Sequence, residues 1–181
     1  MDRTPHEIVN PLSLSEPTGH AHTLVAAPGR TVHIGCQTAR RVDGVIVGQS
    51  VVQQFDQALA NMVEALRAVG ARPLHVVDIR VHTTSMNTYR INLTALNSIY
   101  RRHMGRHSPP LTAVGVTELL DADALVEVMC TAVVPEPQDK TLLVEEVARK
   151  VELSDDLGEE AFGAEVEAGV ARPRGDKPPV R

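Results

Sequence analysis

Apolar and polar positions follow two rhythms along this chain, and each rhythm marks a set of elements. Between Ser50 and Ala71, residues Val52, Phe55, Leu59, Met62, Val63, Leu66 and Val69 recur at helical spacing and form one stripe. Ser50 stands where an N-cap belongs, and Gly70 where a helix closes. A second stripe, Tyr89, Leu93, Leu96, Ile99, Tyr100 and Met104, is closed by Gly105. Short β-prone runs take most of the other apolar positions: residues 21–26 and 31–38, joined by the turn signal APGR, then 74–83, 111–116 and 125–134. Residues 45–47 add a weaker strand or loop. Strands alternating with helices in this order predict an α+β fold, a mixed sheet with two helices packed on one face.

The pattern fades at both ends. Residues 1–17 are rich in Pro, Ser, Glu and Thr and read as a flexible arm before a domain spanning 18–135. Pro135 and Pro137 end the last strand, and Leu143, Val144, Val147 and Val151 predict a C-terminal helix over 136–153. Residues 154–181 turn acidic, then Gly/Pro-rich, and read as a disordered tail.

Composition narrows the picture. With two Phe, two Tyr and no Trp in 181 residues, the core must be built from Val, Leu, Ala, Ile and Met. A net charge of −5 without a dense Lys/Arg run argues against a nucleic-acid partner. The best basic patch, Arg101, Arg102 and Arg106, reads as a solvated helix end. There is no run of membrane-spanning length and no leader pattern. The two cysteines, Cys36 and Cys130, lack CxxC spacing and fit a reduced, cytoplasmic setting. A disulfide between them stays an open alternative.

The chain carries no phosphate-binding glycine loop, no HExxH, no GxSxG and no zinc-finger spacing, so neither cofactor nor metal is expected. His20 and His22 in TGHAHT would share one face of a strand. Two imidazoles bind a metal only with a third ligand, which the sequence does not name, and a polar strand edge is the plainer reading. His33 and His82 fall inside strands, where either can face inward. His103 and His107 flank a glycine at a helix end, where positive charge is favoured. Glu127 differs, because in ALVEVMCTAVV a carboxylate interrupts an apolar strand and shares a face with Leu125, Met129, Thr131 and Val133. An ionised carboxylate there needs a partner or a wet pocket, and structural and functional readings weigh equally. A carboxyl group in such surroundings is suited to proton transfer. Cys36 is reactive only beside a positive charge, for which His20, His22 and His33 are the candidates. Cys130 alternates to the opposite face from Glu127 and reads as core.

Taken in order, TGHAHT, VHIGCQTA, QQFDQALANMVEALRAVGA, HVVDIRVHTT, NSIY, PPLTAVGV and LVEVMCTAVV make the chain resemble the RidA family, also called YjgF or endoribonuclease L-PSP. The strongest piece is the Gln-x3-Ala-x2-Asn helix, Gln54, Ala58 and Asn61. The resemblance implies a chorismate-mutase-like α+β fold assembled as a homotrimer, with small-molecule clefts between subunits. It also implies hydrolysis of reactive enamines and imines, through an arginine in a P-A-R-T/S strand that clamps the substrate carboxylate.

This sequence departs from that pattern where the chemistry should sit. The arginine position is Leu111, followed by Thr112 and Ala113; the tyrosine position of the family's glycine-x-tyrosine is Ala21; the usual Ser-Gly-Gln is Gly35-Cys36-Gln37. Glu127 stands at the position of the glutamate associated with water activation, and Asn97 matches the N-x-x-Y of the second helix. Leucine has no donor for a carboxylate, and losing a buried charge-assisted pair costs about 2–5 kcal/mol. The expected activity is therefore not standard 2-iminoacid hydrolysis. It is hydrolysis, deamination, isomerisation or cyclisation of a small imine-like or conjugated metabolite. Glu127 would be the acid/base, His20 or His22 would assist, and Leu111, Asn97, Gly35, Cys36, Ala21, Thr112 and Met129 would line the cleft. The alternative is a binding or regulatory trimer that kept the fold and lost catalysis. RNA cleavage, the older family label, fits the acidic charge balance poorly.

Overall fold

The computed structural model describes residues 3–136. The expected helix over 136–153 and tail over 154–181 lie, past Glu136, outside the described residues. The elements are β1 (Glu7–Val9), β2 (Thr23–Val25), β3 (Gly29–Gln37), α1 (Val51–Ala68), β4 (Val76–Thr83), α2 (Met86–Ile91), α3 (Leu93–Met104), β5 (Leu111–Gly115) and β6 (Val126–Pro135). A 3-10 turn, Pro73–His75, leads into β4.

The main sheet runs β3-β6-β4-β5. β6 is antiparallel to both β3 and β4, while β4 and β5 are parallel. A parallel pair needs a crossover, which α2 and α3 provide. Alternation then sorts the side chains. Along β6, Val126, Val128, Cys130 and Ala132 are buried in the core, while Glu127, Met129 and Thr131 are half-buried on the other face. The core side is completed by Val51, Phe55, Leu59, Met62 and Leu66 of α1 and by Leu96, Ile99 and Tyr100 of α3. The mixed sheet with helices on one face is thus as the hydrophobic pattern predicts.

Helix α1 begins as its sequence requires. The Ser50 hydroxyl accepts from the Gln53 N–H, and Gly70 turns the chain away at φ +72°. Two residues of the Gln-x3-Ala-x2-Asn pattern pin loops. Gln54, buried, donates from Nε2 to the Gly48 and Asp123 carbonyls at 3.0 and 2.9 Å, and its Oε1 accepts from the Leu125 N–H at 2.7 Å. Asn61 donates from Nδ2 to the carbonyls of Thr38 and Arg40 at 2.9 and 2.8 Å. Ala58, fully buried between them, keeps the helix close to the sheet. At the other end of β6, Gly29 lies so near Val134 that a Cβ would meet its carbonyl oxygen.

Two expectations change, and one open alternative is settled. The arm over 1–17 is not loose throughout: β1 pairs antiparallel with β2, and His6 is buried. His6 Nδ1 accepts from the Ala27 N–H and Nε2–H donates to the His75 carbonyl, both at 3.1 Å. A three-residue strand is too short to show a period, which is why composition misread it. The second helix is broken at Asn92, whose side-chain amide donates to the Thr88 carbonyl at 2.8 Å. The break leaves Leu93 exposed while Leu96, Ile99, Tyr100 and Met104 remain buried. Residues 45–47, read as a strand or a loop, are a loop in which a single bridge joins Arg40 and Ile46.

Candidate functional site

The sheet face away from the helices carries the polar residues of its strands. His82 of β4 and Glu127 of β6 are register partners, and His82 Nδ1–H donates to Glu127 Oε1 at 2.9 Å. Their side chains are 29% and 15% exposed, shielded from bulk water but reachable. The carboxylate that interrupts an apolar strand therefore has its partner on the neighbouring strand. Sequence reading placed His82 in a strand but did not pair it with Glu127. Alternation gives the face, and only the 82↔127 register gives the contact.

Glu127 and Cys36 line one cleft of about 600 Å³, together with Thr38, Arg40, Arg41 and Asn61. Asn61 fixes the backbone at Thr38 and Arg40, so α1 shapes this wall. Arg40 pairs with Asp121, and Arg41 with Asp43 at 3.2 Å. Neither arginine nor Asn61 was singled out as a cleft residue beforehand.

Cys36 is exposed, and its thiol is pushed up from 9.0, first by burial of part of its surroundings, then by the charge and hydrogen bonding of Glu127. This corrects the expected positive neighbour. The nearest influence is a carboxylate, which disfavours thiolate and so disfavours a nucleophilic role. Burial and the Asp78 carboxylate push Cys130 up to about 12. Both cysteines are free, which closes the disulfide alternative.

The other expected site residues fall into two sets. Met129 and Thr112 are both register partners of Arg80 and share the Glu127 face; Gly35, in β3, has open space where a Cβ would stand. Leu111 belongs elsewhere. It is the register partner of Ile79, which also pairs with Cys130, and it packs against the core on the helix side. Ala21 is buried nearby, its N–H donating to the Pro109 carbonyl at 3.4 Å. Asn97 is exposed on α3, its Oδ1 3.8 Å from where a Gly19 Cβ would be. Within one copy of the chain, Leu111 and Glu127 are on opposite faces of the sheet.

His20 and His22 are not in a strand, since β2 starts at Thr23. His20 Nδ1 pairs with the Thr18 carbonyl at 3.1 Å and His22 Nε2 with the Ser15 carbonyl at 2.7 Å, so both order their own loop. Neither lines the Glu127 cleft. Among the described residues no group of three His, Cys, Asp or Glu could hold a metal ion. His33 points out to solvent on β3 rather than inward. No described helix is long and apolar enough to cross a membrane.

The profile of the family described as Endoribonuclease L-PSP matches residues 15–134. The chain belongs to the endoribonuclease L-PSP family, the RidA/YjgF proteins. It is a divergent member. It is 27% identical to a RutC family protein of Synechocystis sp. over 130 residues, 71% of this chain and 97% of that one. A crystal structure of a Rid-family protein of unknown function from Yersinia pestis superposes with a TM-score of 0.65 at 32% identity, covering 71% of this chain and 98% of that chain. RidA from an Antarctic Psychrobacter shares the fold, at a TM-score of 0.52 and 19% identity over 66% of this chain and 92% of its own. In this RidA-family chain the apolar residue at position 111 is partly buried and packs against the helix-side core.

Proposed function

We propose that this RidA-family chain acts on a small, uncharged imine-like or conjugated metabolite at a site organised by the His82–Glu127 pair. The observation that carries this reading is the 2.9 Å hydrogen bond from His82 to Glu127 at the edge of a cleft. The hydrogen bond holds Oε1 and orients the carboxylate as a proton acceptor. For an imine, Glu127 takes a proton from water as the oxygen bonds to the C=N carbon and the π electrons move to nitrogen. That proton is returned to the nitrogen, giving a carbinolamine; Glu127 then moves the carbinolamine hydroxyl proton to the nitrogen as the C–N bond breaks and the C=O bond forms, releasing a carbonyl product and an amine. Leu111 offers no donor to a carboxylate, so 2-iminoacids are poor substrates.

The complete site is a homotrimer's. The face bearing Glu127, Met129 and Thr112 is not covered by the described helices, and on this reading a second copy brings Leu111, Ala21 and Asn97 opposite it. The reading is tested with imines generated in situ, charged and uncharged, following the amine released. Uncharged imines should be hydrolysed faster than spontaneously. Glu127→Gln should remove about 10²–10⁴-fold of that acceleration while the oligomer stays intact. Rapid turnover of 2-iminoacids, or full activity in Glu127→Gln, would overturn it. Saturable ligand binding without turnover of any imine would instead favour the non-catalytic trimer.

A further inference from the structure

The helical side of the domain has a second, larger cleft, remote from Glu127. It measures about 1120 Å³ and is walled by the N-terminal arm, the 3-10 turn and the C-terminal ends of α1 and α3. Among the described residues five arginines line it, Arg3, Arg67, Arg72, Arg102 and Arg106, against one carboxylate, Glu7. For a chain of net charge −5 this is a marked local excess of positive charge.

Helix geometry explains part of the cluster. Arg67 and Arg102 sit in last turns, where cations offset the helix dipole. They also have carboxylates, Glu64 at 3.7 Å for Arg67 and Asp56 at 2.5 Å for Arg102. Asp56 accepts from His103 Nε2–H at 2.6 Å as well. Burial opposes the charge on Asp56, but the His103 and Arg102 hydrogen bonds outweigh it and hold the carboxyl below its ordinary range. Arg3 and Arg106 lie outside the helices and make no ion pair or hydrogen bond with other described residues. Neither dipole nor pairing accounts for them.

The arm that carries Arg3 is fixed in place. Thr4 Oγ1 donates to the Leu74 carbonyl at 2.8 Å, and buried His6 donates to the His75 carbonyl at 3.1 Å. His107 lines the same cleft; its Nε2–H donates to the Val76 carbonyl at 2.6 Å, so its buried Nδ1 is an acceptor and takes no part in holding an anion.

We propose that this cleft binds a small phosphate-bearing metabolite. Guanidinium forks suit phosphate oxygens bidentately, and a cleft of this size suits a small molecule. The site is separate from the His82–Glu127 cleft and does not depend on its chemistry.

The test uses the full chain and calorimetric titration at low salt, with inorganic pyrophosphate as probe and citrate as the carboxylate comparison. Pyrophosphate should bind saturably and more tightly than citrate. Arg3→Ala and Arg106→Ala should each weaken it about tenfold. Arg90→Ala, on the exposed side of α2, should leave it unchanged; all three variants should keep the wild-type circular dichroism and Tm. Absence of saturable binding, equal affinity in the Arg3 and Arg106 variants, an equal loss in Arg90→Ala, or citrate binding as tightly as pyrophosphate would each overturn the assignment.

Discussion

Replacing Gln54 by leucine removes three hydrogen bonds from one buried side chain, and the cost can be worked from their partners. Leu125 N–H loses the acceptor it meets at 2.7 Å, and the carbonyls of Gly48 and Asp123 lose their donor. A buried donor left unpaired costs about 1–3 kcal/mol. The two carbonyls belong to exposed residues, so water recovers part of their loss and they add about 1–2 kcal/mol together. The apolar body of leucine in a buried site returns roughly 1 kcal/mol. The net expectation is a loss of about 2–3 kcal/mol. In urea denaturation at fixed protein concentration, with a slope of about 1–3 kcal/mol/M, the midpoint should fall by about 1–2 M. Gln54→Glu separates the two roles of the amide. It keeps an acceptor for Leu125 but sets a carboxylate oxygen against two carbonyls, so it should destabilise at least as much as leucine at neutral pH. A leucine variant within about 0.5 kcal/mol of wild type, or a stable glutamate variant, would refute the reasoning.

Three further outcomes follow from the same structure. Cys36, though exposed, should alkylate more slowly at neutral pH than a free thiol, and Glu127→Gln should speed it by removing the neighbouring carboxylate; unchanged kinetics across pH would count against that contact. Burial, first, holds both His75 and His107 below the ordinary 6.5, aided at His75 by Arg72 and resisted at His107 by its bond to Val76. As pH falls through 6.5 the unfolded chain takes up protons that the folded one refuses. Stability should therefore drop on the acid side, by at most about 1.4 kcal/mol per pH unit per histidine. His107→Gln, which keeps a donor for Val76, should flatten the dependence between neutral pH and mild acid, and parallel wild-type and variant profiles would contradict it. Gly29→Ala should cost about 1–3 kcal/mol by forcing β3 off Val134, read as a lower Tm; a neutral effect would mean the strands part without strain.

The main sheet and the long helix were legible because their signals are long and periodic. The stripe from Val52 to Leu66 and the alternation of β6 each repeat enough to exclude the other period. β1 carries three residues and its support comes from His6, Thr4 and a distant strand, so no local pattern announces it. The break at Asn92 was hidden for a similar reason. Leu93 continues the helical spacing by sequence, and only the Asn92 amide turning back to Thr88 redirects the chain. In the site, Glu127 was legible as a carboxylate out of place. His20 and His22 drew attention by chemistry alone, and within one copy their bonds to Thr18 and Ser15 follow from loop geometry that no spacing rule encodes.

The clearest sequence motif and the candidate site also turn out to be one device seen from two sides of the sheet. Gln54 lies among the helices, yet it grips Leu125 N–H, and the Leu125 carbonyl accepts in turn from the Thr83 hydroxyl at 2.7 Å and the Thr84 N–H at 3.1 Å. Those contacts lock Thr83 opposite Val126, which sets His82 opposite Glu127. A slip of one residue would carry Glu127 to the core face and Val126 or Val128 to the cleft. The glutamine thus acts at a distance, through backbone register, on the His82–Glu127 pair. That gives a physical reason for the strongest stretch of family resemblance to lie on a helix outside the His82–Glu127 pair. It also means that stability and chemistry are coupled here: a substitution that loosens Leu125 should weaken the fold and disperse the His82–Glu127 pair together.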